Sequence, residues 1–236
     1  MESQHYINNK YVDFTVLRLD VNSKELKNAA RVAVEYGCVG FCIQANAIDV
    51  VKNILKGTQT KLVVVPNWTI GGGLNPNNER MLDCCKEADE VDYIIDVYNM
   101  YELKKWDKVA EDLTKVKSFS KSLKVIIEAN YLRVIHFEER IKLMKQVIDL
   151  STECGADFIK SDSGLYQRTE RKVKVGDTLS LTETAEEGLL DDTKNILKHT
   201  KLPVKIAGGV RTKELTEKLI KMGVKRIGTS SFEVIK

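Results

Sequence analysis

Short runs of β-branched and other apolar residues alternate with longer amphipathic stretches along the whole chain. Some of the short runs, such as Leu62–Val65 and Val125–Ile127, are apolar at every position, which is typical of strands covered on both faces. The pattern predicts eight strands, over Val12–Leu17, Val39–Gln44, Lys61–Asn67, Val91–Asp96, Leu123–Ala129, Ala156–Ser161, Leu202–Gly208 and Arg226–Ser230.

Helical patterns separate these strands. The first covers Ser23–Tyr36, and Asn22 and Glu25 have the spacing of a capping box at its start. A second long helix is predicted over Phe137–Cys154 and ends before Gly155, because glycine commonly terminates helices. Eight strands with seven intervening helical segments favour a single-domain (β/α)8 TIM barrel. An open doubly wound sheet is the alternative, because a strand count from one sequence can be wrong by one or two.

The connection between the sixth predicted strand and the next helix is unusually long. It covers Tyr166–Thr184 and is polar, and long connections in compact domains are usually functional or mobile. Two hypotheses are open for it: closure over a bound phosphate, or a solvated insertion. Its basic residues are Arg168, Arg171, Lys172 and Lys174.

Composition and charge narrow the class of protein. A TIM barrel routinely occupies about 200–250 residues, so residues 1–236 fit one domain. The net charge of +3, with no stretch that combines dense Lys/Arg with aromatic residues, argues against nucleic-acid binding. No apolar run approaches the roughly 20 residues of a membrane helix, and the N-terminus lacks a signal-peptide pattern. A cytoplasmic, non-membrane protein is therefore expected.

The five cysteines and three histidines form no ligand pattern. An odd number of cysteines in a barrel of this size favours reduced thiols and a reducing compartment, and Cys42 is interpreted as a small core residue. The histidines, His5, His136 and His199, are too far apart in sequence to build a Cys/His zinc site. No metal is predicted.

Three of the charged residues inside predicted strands are candidates for the chemistry, because parallel barrels carry their chemistry at the C-terminal ends of strands. Lys160 lies in the sixth strand, Lys205 in the seventh and Asp92 in the fourth. Most lysines are solvated, but two lysines embedded in neighbouring apolar strands are expected to depress each other's pKa. A neutral lysine can attack a carbonyl, and a carboxylate such as Asp92 can assist proton transfer. Either lysine could be the nucleophile, and the alternative for Asp92 is a cap on a helix or loop.

Glycines follow the last two predicted strands. Gly208 and Gly209 come after the seventh strand, and Gly228 lies in the eighth, beside the hydroxyls of Thr229, Ser230 and Ser231. Barrels frequently bind phosphate with the loops after strands seven and eight, where glycine lets backbone N–H groups approach an anion. These two loops therefore predict a phosphate site.

Six segments, in the same order along the chain, resemble the class I deoxyribose-phosphate aldolase family. They are VDFTVL, ADEVDYII, LKVIIEANYL, ADFIKSDSG, VKIAGGVRT and RIGTSS. The resemblance implies that Lys160 forms a Schiff base, that Lys205 lowers the pKa of Lys160 and that Asp92 assists proton transfer. It also implies a substrate and phosphate site formed by Gly164, Gly208, Gly209, Gly228, Ser230, Ser231, Asp13 and Thr15.

The implied reaction is reversible cleavage of 2-deoxyribose 5-phosphate to glyceraldehyde 3-phosphate and acetaldehyde, without a metal or organic cofactor. The expected partner is a small sugar phosphate, and homo-oligomerisation is left open. Three segments depart from the family pattern: Phe14 replaces a histidine, Asn67–Gly71 replaces a Phe-Pro segment, and Asp162–Gly164 replaces Ser-Thr-Gly. Two alternatives therefore remain, a related Schiff-base lyase or transferase for another phosphorylated sugar, and a non-catalytic sugar-phosphate-binding barrel.

Overall fold

The computed structural model of the protein describes residues 9–68, 71–73, 79–175 and 179–236. Positions 1–8, which include His5, lie outside the described residues. So do Thr69 and Ile70 of the Asn67–Gly71 segment and positions 176–178 of the long connection.

Eight parallel strands within the described residues close into a barrel, which confirms the (β/α)8 prediction over the open sheet. They are paired in the circular order β1-β2-β3-β4-β5-β6-β9-β10, and β10 pairs with β1. The barrel strands are β1 (Val12–Val16), β2 (Gly40–Gln44), β3 (Lys61–Val65), β4 (Glu90–Ile94), β5 (Leu123–Ile126), β6 (Phe158–Lys160), β9 (Val204–Ile206) and β10 (Arg226–Thr229).

Helices connect the barrel strands and cover the outside of the barrel. The first begins with the predicted capping box, in which the Asn22 side chain accepts the Glu25 backbone N–H and the Glu25 side chain accepts that of Asn22. The α-helices are α1 (Ser23–Glu35), α2 (Ile48–Leu55), α3 (Glu79–Glu87), α4 (Trp106–Phe119), α5 (Ala129–Ile135), α6 (Arg140–Glu153), α7 (Ala185–His199), α8 (Lys213–Lys221) and α9 (Phe232–Ile235). Within the described part of the chain, no helix is both long and apolar enough to span a bilayer.

Several predicted strands and the second long helix are shorter in the structure, and the two differences that matter for the site are the end of the fifth strand and the long connection. The fifth strand ends at Ile126, because Glu128 has a left-handed backbone (φ 51°) and Ala129 already begins α5. The long connection contains an antiparallel hairpin, β7 (Arg171–Val175) with β8 (Leu179–Glu183), so it is not simply a loop. Both hairpin strands alternate apolar and polar residues, RKVKV and LSLTE, which is the period-2 signal of a strand.

The barrel wall separates an apolar layer from a charged interior. Outward-facing strand residues such as Val91, Val125 and Ile159 pack into the main hydrophobic core with the surrounding helices. The inward-facing positions of the same strands carry charges, because successive side chains of a strand point to opposite faces. A small apolar cluster also lies inside the barrel, and its members are Leu17, Cys42, Val63, Val65, Ile94 and Ile126.

Candidate active site

Asp92 is the centre of the charged interior. Its Oδ2 atom accepts hydrogen bonds from the Nζ atoms of Lys160 at 2.8 Å and Lys205 at 2.6 Å. Its Oδ1 atom accepts from Lys124 Nζ at 2.9 Å. The three residues predicted to carry the chemistry therefore meet in one site, and Lys124 joins them.

Lys205 is held by a second carboxylate. Its Nζ atom lies 2.5 Å from Oδ2 of Asp13, whose other oxygen accepts from Arg226 at 2.6 Å. Asp13 and Lys205 are both completely buried. Asp13 was predicted at a supporting position of the substrate pocket; the structure places both of its oxygens in ion pairs beneath that pocket. Its observed contacts anchor Lys205.

Glu90 forms the lower part of the same network. Its carboxylate lies 2.5 Å from Lys124 Nζ and 3.1 Å from Nη2 of Arg226, and the half-exposed Lys61 approaches it at 2.6 Å from outside. Glu90 and Asp92 are two residues apart on β4 and so point to the same face of the sheet. Lys124 bridges both carboxylates from β5.

The charges of this network control how its members titrate. Burial alone lowers the pKa of Lys205, but the nearby charges of Asp13 and Asp92 outweigh burial and raise the pKa above its usual value. Burial raises the pKa of both carboxyls, and the surrounding cations outweigh it, so that the pKa of Asp13 falls to about 2 and that of Asp92 falls well below its usual value. The prediction that the two lysines depress each other's pKa is therefore wrong for Lys205.

Lys160 differs from Lys205 in its number of carboxylate partners. Lys160 and Lys205 are register partners on β6 and β9, yet among the described residues Lys160 forms an ion pair only with Asp92, whereas Lys205 pairs with Asp92 and Asp13. Lys160 also retains slight side-chain exposure, 3% against 0% for Lys205. Lys160 is thus the more loosely held and more accessible of the two amines.

Charge balance in the interior distinguishes the same lysine. Within the described ion-pair network, Asp13, Glu90 and Asp92 supply three buried carboxylates, and Lys124, Lys160, Lys205 and Arg226 supply four buried cations. Lys160 forms one ion pair in this network, and each of the other three cations forms two.

Two glycines make room for this network. A Cβ atom on Gly228 would lie 2.9 Å from Cβ of Ala207 and 3.1 Å from Cε of Lys205, and one on Gly40 would lie 2.3 Å from Oδ1 of Asp13. The observed function of Gly228 is therefore to accommodate the Lys205 side chain inside the barrel. A contact of Gly228 with the substrate phosphate stays a prediction.

The other predicted phosphate residues lie in the loops that follow β6, β9 and β10. Gly164, Gly208 and Gly209 all have positive φ angles, of 97°, 79° and 106°, which favour glycine. The loops after β9 and β10 are tied together, because Ser231 Oγ donates to the Arg211 carbonyl at 2.9 Å. Ser230 beside it is exposed.

Thr15 lies lower in the barrel wall. Its hydroxyl donates to the carbonyl of Asp13 at 3.0 Å, and the residue is half-buried on β1. The structure therefore places Thr15 next to the ion-pair network; a direct contact with substrate remains a prediction.

A second acidic pair lies just above Lys160. Both oxygens of Glu128 accept the Ser163 backbone N–H at 3.3 Å, and Asp162 accepts the Asn130 backbone N–H at 2.8 Å. Burial, reinforced by the nearby Asp162 charge, raises the pKa of Glu128 to about 8. Glu128 is therefore largely protonated at neutral pH.

Sequence reasoning missed Lys124, Glu90, Arg226 and Glu128. A signal was present for Lys124, because it is embedded in the apolar fifth strand in the same way as Lys160 and Lys205 are in theirs. Glu90 was detectable as the residue two before Asp92 on the same strand face. Glu128 gave no such signal, since the left-handed turn that directs it is not visible in the sequence.

Cys42 and Trp68 line the interior, and all five cysteines are free thiols, as predicted. Cys42 is completely buried, its Sγ lies 4.0 Å from Asp92 Oδ2, and burial raises the pKa of its thiol to about 11, in keeping with a small core residue. Trp68, whose placement the sequence left open, packs against the inner apolar cluster.

Known aldolases are similar to this protein along nearly the whole chain. The chain is 30% identical over 228 residues to a deoxyribose-phosphate aldolase of Clostridium novyi, covering 94% of this chain and 92% of the relative. It is 29% identical over 227 residues to that of Finegoldia magna, covering 94% and 95%. A solved structure described as "QR15, an Aldolase" superposes with a TM-score of 0.78 at 25% identity, covering 97% and 94%.

A more distant structure supports the fold alone. The deoxyribose phosphate aldolase of Aeropyrum pernix, described as having a unique tetrameric structure, matches with a TM-score of 0.73 at 20% identity, covering 97% of this chain and 89% of that one. The model of the DeoC/LacD family aldolases matches residues 8–231. With a lysine pair on adjacent barrel strands and a family match of this extent, the chain belongs to the DeoC/LacD family of aldolases.

Proposed function

We propose that the protein is a class I aldolase that cleaves 2-deoxyribose 5-phosphate reversibly to glyceraldehyde 3-phosphate and acetaldehyde, with Lys160 as the Schiff-base nucleophile. The observation that carries the proposal is the shared carboxylate oxygen: Asp92 Oδ2 accepts from both Lys160 and Lys205. Relatives named deoxyribose-phosphate aldolase, matched along 94% of the chain, support the choice of substrate.

The chemistry begins with the amine of Lys160. After its proton passes to solvent, the nitrogen attacks the aldehyde carbon C1 of the open-chain sugar, and loss of water gives a protonated imine. Lys205, held charged by Asp13 and Asp92, keeps its proton and maintains a positive potential around the reacting atoms.

The protonated imine then acts as the electron sink for bond cleavage. A base removes the proton of the C3 hydroxyl, the C2–C3 bond breaks, glyceraldehyde 3-phosphate leaves and an enamine remains on Lys160. Protonation of the enamine at C2 and hydrolysis of the imine release acetaldehyde. Asp92 is suited to relay these protons, because it contacts both lysines and is connected through Lys124 to Glu90. This sequence of steps uses no metal or organic cofactor.

The phosphate of the substrate is assigned to the turn at Gly208 and Gly209, with Gly164, Ser230 and Ser231 around it. The positive φ angles of the three glycines turn the backbone at the barrel mouth, where N–H groups can meet an anion. The protein is expected to act on free sugar phosphate in the cytoplasm. Self-association stays a prediction, to be tested by the mass of the protein in solution.

A related lyase or transferase for another phosphorylated sugar is the second candidate. It is favoured by Asp162, a buried carboxylate two residues after Lys160 that lies against Gly208. The non-catalytic binding barrel is disfavoured, because keeping several ion-paired amines in a protein interior is costly unless they are used.

Reductive trapping tests the proposal. The protein is incubated with 2-deoxyribose 5-phosphate, reduced with borohydride and digested, and the modified peptide is located by mass spectrometry. We expect an adduct on Lys160 that is absent from Lys160→Ala. An adduct with a different sugar phosphate only would keep the mechanism and replace the substrate. An adduct on Lys205 in the wild-type protein would contradict the assignment of the nucleophile.

A further inference from the structure

Arg168 is buried between two carboxylates that belong to different parts of the fold. Its Nη2 atom donates to Oδ2 of Asp162 at 2.8 Å, and its Nη1 atom donates to Oδ2 of Asp192, on α7, at 2.7 Å. Its side chain is only 4% exposed. An arginine is rarely buried so deeply without a specific role for its charge.

Asp192 fixes Arg168 in this position. The other oxygen of Asp192 accepts from Nε and Nη2 of Arg133, at 3.0 and 2.8 Å, and Arg133 also pairs with Glu183 at the end of β8. The guanidinium of Arg168 therefore contacts α7 through Asp192, and Asp192 is in turn bound by Arg133 of α5. The segment between β6 and β7, for which the sequence left closure over a phosphate and a solvated insertion both open, supplies this buried cation.

Asp162 and Arg168 both lie against the turn assigned to the substrate phosphate. A Cβ atom on Gly208 would be 3.0 Å from Cβ of Asp162, and one on Gly209 would be 3.9 Å from Cδ of Arg168. The Asp162 carboxylate is thus directly beneath a predicted anion site. Among the described residues, Arg168 is the only cation in an ion pair with it.

An uncompensated carboxylate at this place would repel a phosphate, because like charges a few ångströms apart in a partly buried site interact strongly. The remaining Asp162 oxygen is already occupied by the Asn130 backbone N–H at 2.8 Å. Neutralisation of Asp162 therefore depends on Arg168.

We propose that Asp162 and Arg168 form a specificity pair for phosphorylated substrates, in which Arg168 neutralises Asp162 and so lets the Gly208–Gly209 turn accept a phosphate. The inference rests on the proposed function, since it assigns the phosphate of the aldolase substrate to this turn. Arg168 acts here as a positioning residue through Asp162.

The test compares two substrates that differ only in the phosphate, 2-deoxyribose 5-phosphate and 2-deoxyribose. Arg168→Met is expected to raise KM for the phosphorylated sugar at least about tenfold, the effect of one uncompensated like charge at this range. Its kcat, and its kcat/KM for 2-deoxyribose, should stay within about twofold of wild type, because the described ion pairs of Arg168 are with Asp162 and Asp192 and not with Asp92. Asp162→Ser/Arg168→Met should return KM for the phosphorylated sugar to within about threefold of wild type.

Two further variants separate this role from a structural one. Arg168→Lys keeps the charge and should retain a low KM, which keeps the test valid if Arg168→Met fails to fold. Lys172→Met removes an equal charge from an exposed position of β7 and serves as the matched control. A parallel rise of KM for both sugars, an equal effect of Lys172→Met, or no recovery in the double variant would overturn the proposal.

Binding of inorganic phosphate, measured by titration calorimetry, distinguishes failure of this inference from failure of the proposed function. If the wild-type protein turns over neither sugar, the aldolase proposal fails, and the phosphate titration still tests the pair. Arg168→Met should then weaken phosphate binding and the double variant should restore it. Wild-type protein that binds no phosphate would refute the specificity pair.

Discussion

Lys160 and Lys205 are register partners on adjacent barrel strands and donate to the same oxygen, Oδ2 of Asp92. Asp13 makes the two amines different, because it pairs with Lys205 and, among the described residues, forms no ion pair with Lys160. The added ion pair helps to hold the proton on Lys205, whose pKa is raised by Asp13 and Asp92, and Lys160 is the amine with fewer carboxylate partners. The assignment of roles to two similar lysines thus follows from one additional contact.

Asp92→Asn should reduce both catalysis and stability. The amide cannot hold protons as the carboxylate does, and its NH2 group would face an amine where Oδ1 or Oδ2 now accepts. We expect kcat to fall at least about 100-fold, the usual contribution of a proton-transfer group. The free energy of unfolding should fall by about 3 kcal/mol or more, because buried cations lose their partner. Asp83→Asn, which affects an exposed pair with Lys86, is the control for urea unfolding and should change stability by less than about 0.5 kcal/mol.

Lys124→Met and Lys61→Met form a matched pair, because both lysines contact Glu90. Lys124 is completely buried and bridges Glu90 and Asp92, so its loss should destabilise the protein by about 3–5 kcal/mol and slow turnover. Lys61 is half-exposed, and its loss should cost at most about 1 kcal/mol. Denaturant unfolding and kcat of both variants check the comparison; equal losses of stability would show that the interior network does not depend on Lys124.

The charged network also explains what could be predicted from the sequence. Lys160, Lys205 and Asp92 were identifiable because a charge within an apolar strand is conspicuous. The alternation of side chains along a strand then indicates which neighbouring residues lie on the same face. The partners of Lys205 were not identifiable, since Asp13 and Asp92 lie on β1 and β4, and only closure of the barrel brings them to β9. The raised pKa of Lys205 depends on those long-range contacts. The hairpin was missed for a different reason. RKVKV has three basic residues among five, so its polarity hides the alternation that is typical of a strand.

Gly228→Ala should impair catalysis although it adds only one methyl group. The new Cβ would lie 2.9 Å from Ala207 Cβ and 3.1 Å from Lys205 Cε, so Ala207 and the Lys205 side chain must shift, which disturbs the contacts of Lys205 with Asp13 and Asp92. We expect kcat to fall at least about tenfold and the stability to fall by about 1–3 kcal/mol. Gly188→Ala in α7 is the control for an added methyl group away from Lys205, because its nearest neighbour is Cδ of Arg133 at 3.3 Å. Unchanged kcat in Gly228→Ala would mean that the position of Lys205 is not critical.

Glu128→Gln should alter the dependence of stability on pH. Burial, with the Asp162 charge added to it, raises the pKa of Glu128 to about 8 in the folded protein, from 4.5 for an ordinary glutamate. Between these pH values the folded state holds a proton that the unfolded chain has released, so the stability conferred by this proton is present at low pH and is lost as pH rises through 8. Wild-type protein should therefore lose on the order of 2 kcal/mol from this group between pH 6 and 9.

The amide of Glu128→Gln carries no titratable proton, so this part of the pH dependence should disappear and the variant should be more stable than wild type at pH 9. Urea unfolding at pH 6 and pH 9 measures the difference, with Glu138→Gln at an exposed position as the control that should follow wild type. Identical pH profiles for wild type and Glu128→Gln would show that Glu128 is already ionised at neutral pH. In that case two adjacent carboxylates would both be charged above Lys160, and the Ser163 N–H and the Arg168 guanidinium would have to stabilise both of them.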